Sequence, residues 1–311
     1  MRSVVMAYQD VGWSCLDELL ALGAELPLVV THADDPGENV WFRSVAERAC
    51  AAGVPVLVPE SVNDPAVVSR IAALEPDFLF SFYCRQMIAP DVLRLARRAA
   101  LNLHGSLLPR YRGRCPVNWA LIHGEQETGV TLHHMEAKPD RGDIVAQRAV
   151  PIAPDDTALT LTRKLCEAAR RLVQETYPAL VAGTAPRIAQ DHARATYFGG
   201  RRPEDGRLPW DQPAKRLYDL VRAVTAPYPG AFTTWHGERL LVWWARPTEA
   251  AQTGAPGAVL DIRNGEGVVV ASGRGALLLE RVQLGGAPEE RADEMAVRTG
   301  LVPGERLGEE R

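Results

Sequence analysis

The sequence lacks several features that would assign it at once. Its five cysteines, Cys15, Cys50, Cys84, Cys115 and Cys166, are odd in number and scattered, with no CxxC pair and no histidines at metal-ligand spacing. That excludes a disulfide framework or a metal site read from spacing, and points to reduced thiols. No apolar run approaches the roughly 20 residues of a membrane span. In the N-terminal stretch MRSVVMAYQD an aspartate at position 10 arrives before a signal-peptide core can form. A cytoplasmic protein without membrane insertion is expected. Positive charge is not in excess either: the formal net charge is −4 and the pI is near 6.0, so nucleic acid is not the expected partner. The turn AYQDVGWS after the first apolar run has no GxGxxG, and no GxxxxGK[ST] occurs anywhere. A dinucleotide such as NAD in the first loop, and nucleotide hydrolysis through the second motif, are thereby excluded.

What is present is an ordinary globular composition, 46% apolar and 24% charged over 311 residues, enough for a domain near 200 residues and a smaller companion. Short apolar runs at 3–8, 26–32, 54–58, 77–83 and 100–104 alternate with helical spacing over 15–22, 41–52, 65–74 and 90–96. Such alternation predicts a parallel sheet covered on both faces, with ligands gathered beyond the carboxyl ends of its strands. Two further strands are expected at 129–135 and 143–152, then a long helix over 158–181. The segment 183–206, rich in Gly, Pro and charge, is read as containing a linker. After a helix near 214–224, YPGAFTTW, RLLVWWARP, GAVLDIR, GVVVASG and ALLLERVQL predict a small β-barrel or sandwich of about 100 residues.

Three stretches carry chemistry. In LNLHGSLLPRYRGR (101–114), Asn102 and His104 lie two positions apart on a strand and share one face at its end. An amide and an imidazole so placed can hydrogen-bond a carbonyl oxygen and supply a proton, although a lone N-x-H more often only caps a strand. Asp140, in a Pro-Asp-Arg-Gly turn, is by itself a turn former; beside a histidine it would raise the imidazole's pKa and fix its orientation. The arginines at 110, 112 and 114 suit either anion capture or a solvated face.

NLHGSLLPRYRGR, PVNWALIHGEQETGVTLHHM, KPDRGDIVAQ, YFGGRRPEDG and WDQPAKRLYDLVRAVTAPYPGAF together resemble, in order and over nearly the whole chain, the formyltransferases that use 10-formyltetrahydrofolate. MAYQDVGW, THADDPGEN, FSFYCRQMI and TLHHM are similar to the branch that formylates UDP-4-amino-4-deoxy-L-arabinose; the other branch acts on methionyl-tRNA. The short acidic THADDPGENVW and the non-basic C-terminal part from 249 onward, with APEERADEM and GERLGEER, would contact RNA phosphates poorly. The resemblance implies an α/β fold, Rossmann-like, with a mainly parallel sheet and helices on both faces over residues 1–203, followed by a small OB-like β-barrel over 204–311. It implies Asn102 as transition-state stabiliser, His104 as proton donor and Asp140 as the carboxylate that raises the pKa of His104. Folate contacts are implied at Gln86, Met87, Ile88 and Arg114 and along Glu136, Ala137, Lys138 and Pro139, with 10-formyltetrahydrofolate as co-substrate and neither metal nor NAD. A nucleotide-linked amino sugar is the implied partner, and a homodimer is left open. Arg141 and Cys115 depart from the small residues that relatives often carry there.

Overall fold

The computed structural model describes residues 1–37, 39–248 and 254–309. Glu38 of the acidic loop, residues 249–253 at the start of the non-basic C-terminal part, and 310 and 311 of GERLGEER lie outside the described residues.

The alternating pattern of the first hundred residues folds as β1 (Arg2–Ala7), α1 (Gln9–Ala21), β2 (Glu25–Val30), α2 (Val45–Ala51), β3 (Val56–Leu57), α3 (Pro65–Ala73), β4 (Phe78–Phe82), α4 (Pro90–Leu93) and β5 (Ala99–His104). There follow β6 (Arg112–Gly113), α5 (Pro116–Ile122), β7 (Glu127–His134), β8 (Ile144–Pro151), α6 (Ala158–Ala182) and β9 (Tyr197–Phe198). Local signals set several helix starts. Asp64 accepts the Ala66 N–H at 2.8 Å ahead of Pro65, and Ser44 accepts the Glu47 N–H at 3.2 Å. Helix α2 is shorter than its apolar pattern, because Ser44 caps it and 41–44 stay outside.

Seven strands form one sheet in the order β3-β2-β1-β4-β5-β7-β8. The five from β3 to β5 are parallel, while β5–β7 and β7–β8 are antiparallel. Successive residues of β1 and β4 point to opposite faces, so both must be apolar when helices cover both. Val4, Met6, Leu28, Val30 and Leu79 pack on one face with Val67 and Ile71 of α3. Phe80 and Phe82 stack at 5.4 Å on the other, where Tyr177 of α6 lies 6.3 Å from Phe80.

The chain falls into two compact units, 1–116, 126–152 and 160–199 in the first and 117–125, 153–159 and 200–311 in the second. The division between the units after residue 199 falls inside the segment 183–206 read as containing a linker, and residues 183–199 belong to the first unit and contribute β9, paired in parallel with β6. In the second unit, α7 (Ala214–Val224) precedes β10 (Ala231–Trp235), β11 (Glu238–Thr248), β12 (Val259–Arg263), β13 (Gly267–Ala271), β14 (Ala276–Leu284), β15 (Glu290–Arg291) and α8 (Ala292–Thr299). The antiparallel order is β10-β11-β14-β13-β12, with β15 on β14. Val268, Val270, Leu277, Leu279 and Val282 are fully or almost fully buried in it. Among the described residues no helix is long and apolar enough to cross a membrane.

Candidate active site

Strand β5 lies between β4 and β7, and its carboxyl end delivers Asn102 and His104. Antiparallel register sets Asn102 opposite His133 and His104 opposite Thr131. The loop between β7 and β8 then brings Asp140 back to the same place. One carboxylate oxygen, Oδ1, lies 3.5 Å from His104 Nδ1 and 3.7 Å from His133 Nε2. The other, Oδ2, accepts the Gly113 N–H at 2.8 Å. Asp140 adopts φ +56°, in the left-handed region that aspartate tolerates better than most residues. The three residues singled out from sequence thus meet in one site.

His104 is buried, and its Nε2 is 2.7 Å from the Tyr111 carbonyl, which can only accept, so Nε2 carries hydrogen and Nδ1 faces Asp140. Asn102 Nδ2 is 3.1 Å from His133 Nε2, and His133 Nδ1 is 2.8 Å from the His134 carbonyl. Burial pushes the His133 imidazole down to about 4, with the neighbouring His104 acting in the same direction and the Asp140 carboxylate opposing. At neutral pH His133 is therefore uncharged, and its approach to Asp140 is not an ion pair.

Within the arginine run, Arg112 resolves in a way that neither expected reading covered. Arg112 is 1% exposed and so is neither solvated nor open to a ligand. Its guanidinium meets the Tyr197 hydroxyl at 2.5 Å, Gln190 Oε1 at 2.6 Å and His192 Nδ1 at 2.9 Å, while Nε has no hydrogen-bond partner among the described residues. Gln190 in turn donates from Nε2 to the carbonyls of Asp140, at 3.0 Å, and Gly142, at 2.7 Å. A chain of contacts thus runs from the arginine segment through residues 190–197 to the Asp140 loop. Arg110 and Arg114 are exposed, and the Arg114 N–H binds the Phe198 carbonyl at 2.9 Å.

The residues expected to meet folate are placed unequally. Gln86, Met87 and Ile88 follow the carboxyl end of β4, next to that of β5. Gln86 spends its amide on the Val62 N–H and the Glu60 carbonyl, both at 2.8 Å, and Ile88 is buried in the core, so Met87 alone of the three has an exposed side chain. Glu136, Ala137, Lys138 and Pro139 form an exposed stretch leading to Asp140, and Arg141 and Cys115 are half-buried. Sequence reasoning missed His133 and Gln190, and neither of its readings of Arg112 foresaw a buried anchor. The doubled histidine of TLHHM, opposite NLH once the two strands pair, was the one signal for the first.

The sequence model described as formyl transferase matches residues 15–177, and that of the formyl transferase C-terminal domain matches 201–299. Among solved structures, the N-formyltransferase from Helicobacter canadensis in complex with folinic acid and dTDP-3-aminofucose is 16% identical, with a TM-score of 0.69 over 89% of this chain and 98% of that one. The sugar 3N-formyl transferase WlaRD, with dTDP and 5-N-formyl-THF, is 15% identical at a TM-score of 0.68 over 91% of this chain and 97% of that one. HypX from Aquifex aeolicus is 20% identical at a TM-score of 0.65; 98% of this chain aligns, spanning 49%, about half, of HypX.

Proposed function

The chain belongs to the formyl transferase family, and on that premise we propose that it moves the formyl group of 10-formyltetrahydrofolate to the primary amine of a nucleotide-linked amino sugar. The observation that carries this reading is the convergence of Asn102, His104 and Asp140 at the end of β5. The nucleotide-sugar acceptor is supported by the sugar N-formyltransferases with the same fold. Within that class we favour UDP-4-amino-4-deoxy-L-arabinose, from the resemblance of MAYQDVGW, FSFYCRQMI and TLHHM. The transfer chemistry is assigned to residues 1–203, with 204–311 as the β-barrel domain, in a cytoplasmic protein whose five cysteines are free thiols.

The folate supplies an electrophilic formyl carbon. Asn102 donates from its amide to the oxygen on which negative charge develops as the sugar amine attacks. His104 moves the proton that must leave that amine and reach the departing folate nitrogen. Asp140, its Oδ2 held by Gly113, keeps Oδ1 toward His104 Nδ1 and is the carboxylate beside that ring while the proton is in transit. Met87, Arg114 and the stretch Glu136 to Pro139 border the position assigned to the folate, with Gln86 and Ile88 as its rigid backing.

Incubation with 10-formyltetrahydrofolate and a panel of UDP- and dTDP-linked amino sugars, recording tetrahydrofolate release, tests the reading. Turnover with at least one sugar is expected; silence across the panel together with formylation of methionyl-tRNA would overturn it. Replacing His104 by Ala is expected to abolish transfer and leave folate binding intact, measured by titration.

A further inference from the structure

His133 has no part in the transfer as described, yet it is the side chain that holds Asn102. The β5–β7 register places the two directly opposite each other, on one face. A carbonyl oxygen cannot donate, so the 2.8 Å contact with His134 requires the proton of His133 on Nδ1. A neutral imidazole has one N–H, and Nε2 is therefore an acceptor. At 3.1 Å from that nitrogen only the Nδ2 end of the Asn102 amide can be accommodated; the flipped amide would set Oδ1 against a lone pair.

We propose that His133 is a positioning residue: with its proton held on Nδ1 by the His134 carbonyl, it fixes the amide orientation of Asn102 and leaves the second N–H of Nδ2 for the formyl oxygen. This rests on Asn102 being the group that stabilises the oxyanion. The arrangement depends on His133 staying uncharged. Burial at 1% exposure and the neighbouring His104 and His134 rings favour that state, while Asp140, which faces it from the β7–β8 loop, and the His134 carbonyl oppose it. A further consequence concerns Asp140 itself. Its Oδ1 lies near two imidazoles, and the bare Nε2 of His133 donates no hydrogen bond to it.

The test compares His133→Gln, whose Oε1 can accept where Nε2 does, with His133→Leu, which cannot accept. Loss of one oxyanion donor costs about 10²–10³ in kcat. His133→Leu is expected to lower kcat about 10- to 100-fold, short of that full loss, with KM and folate affinity within about threefold, while His133→Gln stays within about fivefold of the original kcat. In the Asn102→Ala background, His133→Leu is expected to lower kcat no further. Unchanged kcat in His133→Leu, an equal fall in both variants, or an effect confined to KM would overturn the proposal. Should His133→Leu fail to fold, ¹⁵N NMR of the imidazoles in the unsubstituted protein decides: a bare Nε2 on His133 from about pH 6 to 8 is expected, and a proton on Nε2 overturns it. Absence of any transfer by the unsubstituted protein would instead strike the functional reading, and the NMR result would still decide how Asn102 is held.

Discussion

Gly105 shows how little room surrounds the reacting residues. A Cβ there would sit 2.1 Å from the Tyr83 hydroxyl, between His104 and Ser106, so any side chain at 105 requires the Tyr83 ring to shift. Gly113 is constrained twice, by φ +99° and by the Phe198 carbonyl 2.2 Å from a built Cβ, and its N–H is the one that holds Asp140. Gly105→Ala is expected to cost about 1–3 kcal/mol of stability by overpacking and to lower kcat at least tenfold by displacing His104. Chemical denaturation and tetrahydrofolate release measure the two effects. Retained turnover at full stability would mean that Tyr83 moves aside freely.

At the scale of elements, the site is made from segments that are not neighbours in the chain. Pairing of β6 with β9 sets Arg112 against Gln190, His192 and Tyr197, and Gln190 carries that anchorage to the Asp140 loop. Gln190→Leu removes one of three hydrogen-bond partners of a buried guanidinium and two bonds to loop carbonyls, and is expected to cost about 2–3 kcal/mol. Loosening Asp140 should reduce kcat more than it raises KM. A melt and a kinetic series check both, and a loss confined to stability would place Gln190 outside the path to Asp140. The cap of α3 offers the contrast: Asp64→Ala should cost about 1 kcal/mol and leave turnover unchanged, since the Asp64 carboxylate serves the start of its own helix.

For the whole molecule, three buried or half-buried histidines contribute to the response to acid. Burial lowers the pKa of His133 to about 4, and burial first, then neighbouring arginine charge, lowers those of His32 and His134. In the unfolded chain a histidine takes up its proton near pH 6.5. Between 6.5 and about 4 the unfolded state therefore binds more protons, and stability declines as pH falls through that window. Asp293, whose carboxyl Arg291 holds below its usual value, adds a loss only at lower pH. Urea midpoints at pH 7.5, 5.5 and 4.5 should fall in that order, and His133→Gln should flatten the trend. An unchanged slope in that variant would mean that His133 is already protonated in the folded state.

The sequence by itself determined the alternation of buried strands and capped helices, because parallel strands covered on both faces must read as apolar runs at both parities. It also determined that Asn102 and His104 share a face, since the period of a strand is two. Asp140 could be proposed from the segments around it, but its distance to His104 could not, being set by a loop that the Gly113 N–H and the Gln190 amide hold from distant parts of the chain. His133 entered only with the β5–β7 register, which no local pattern specifies. Arg112 was misread for a related reason. A run of arginines looks solvated or ligand-directed in one dimension, and only the tertiary pairing with residues 190–197 supplies the polar partners that allow a guanidinium to be buried.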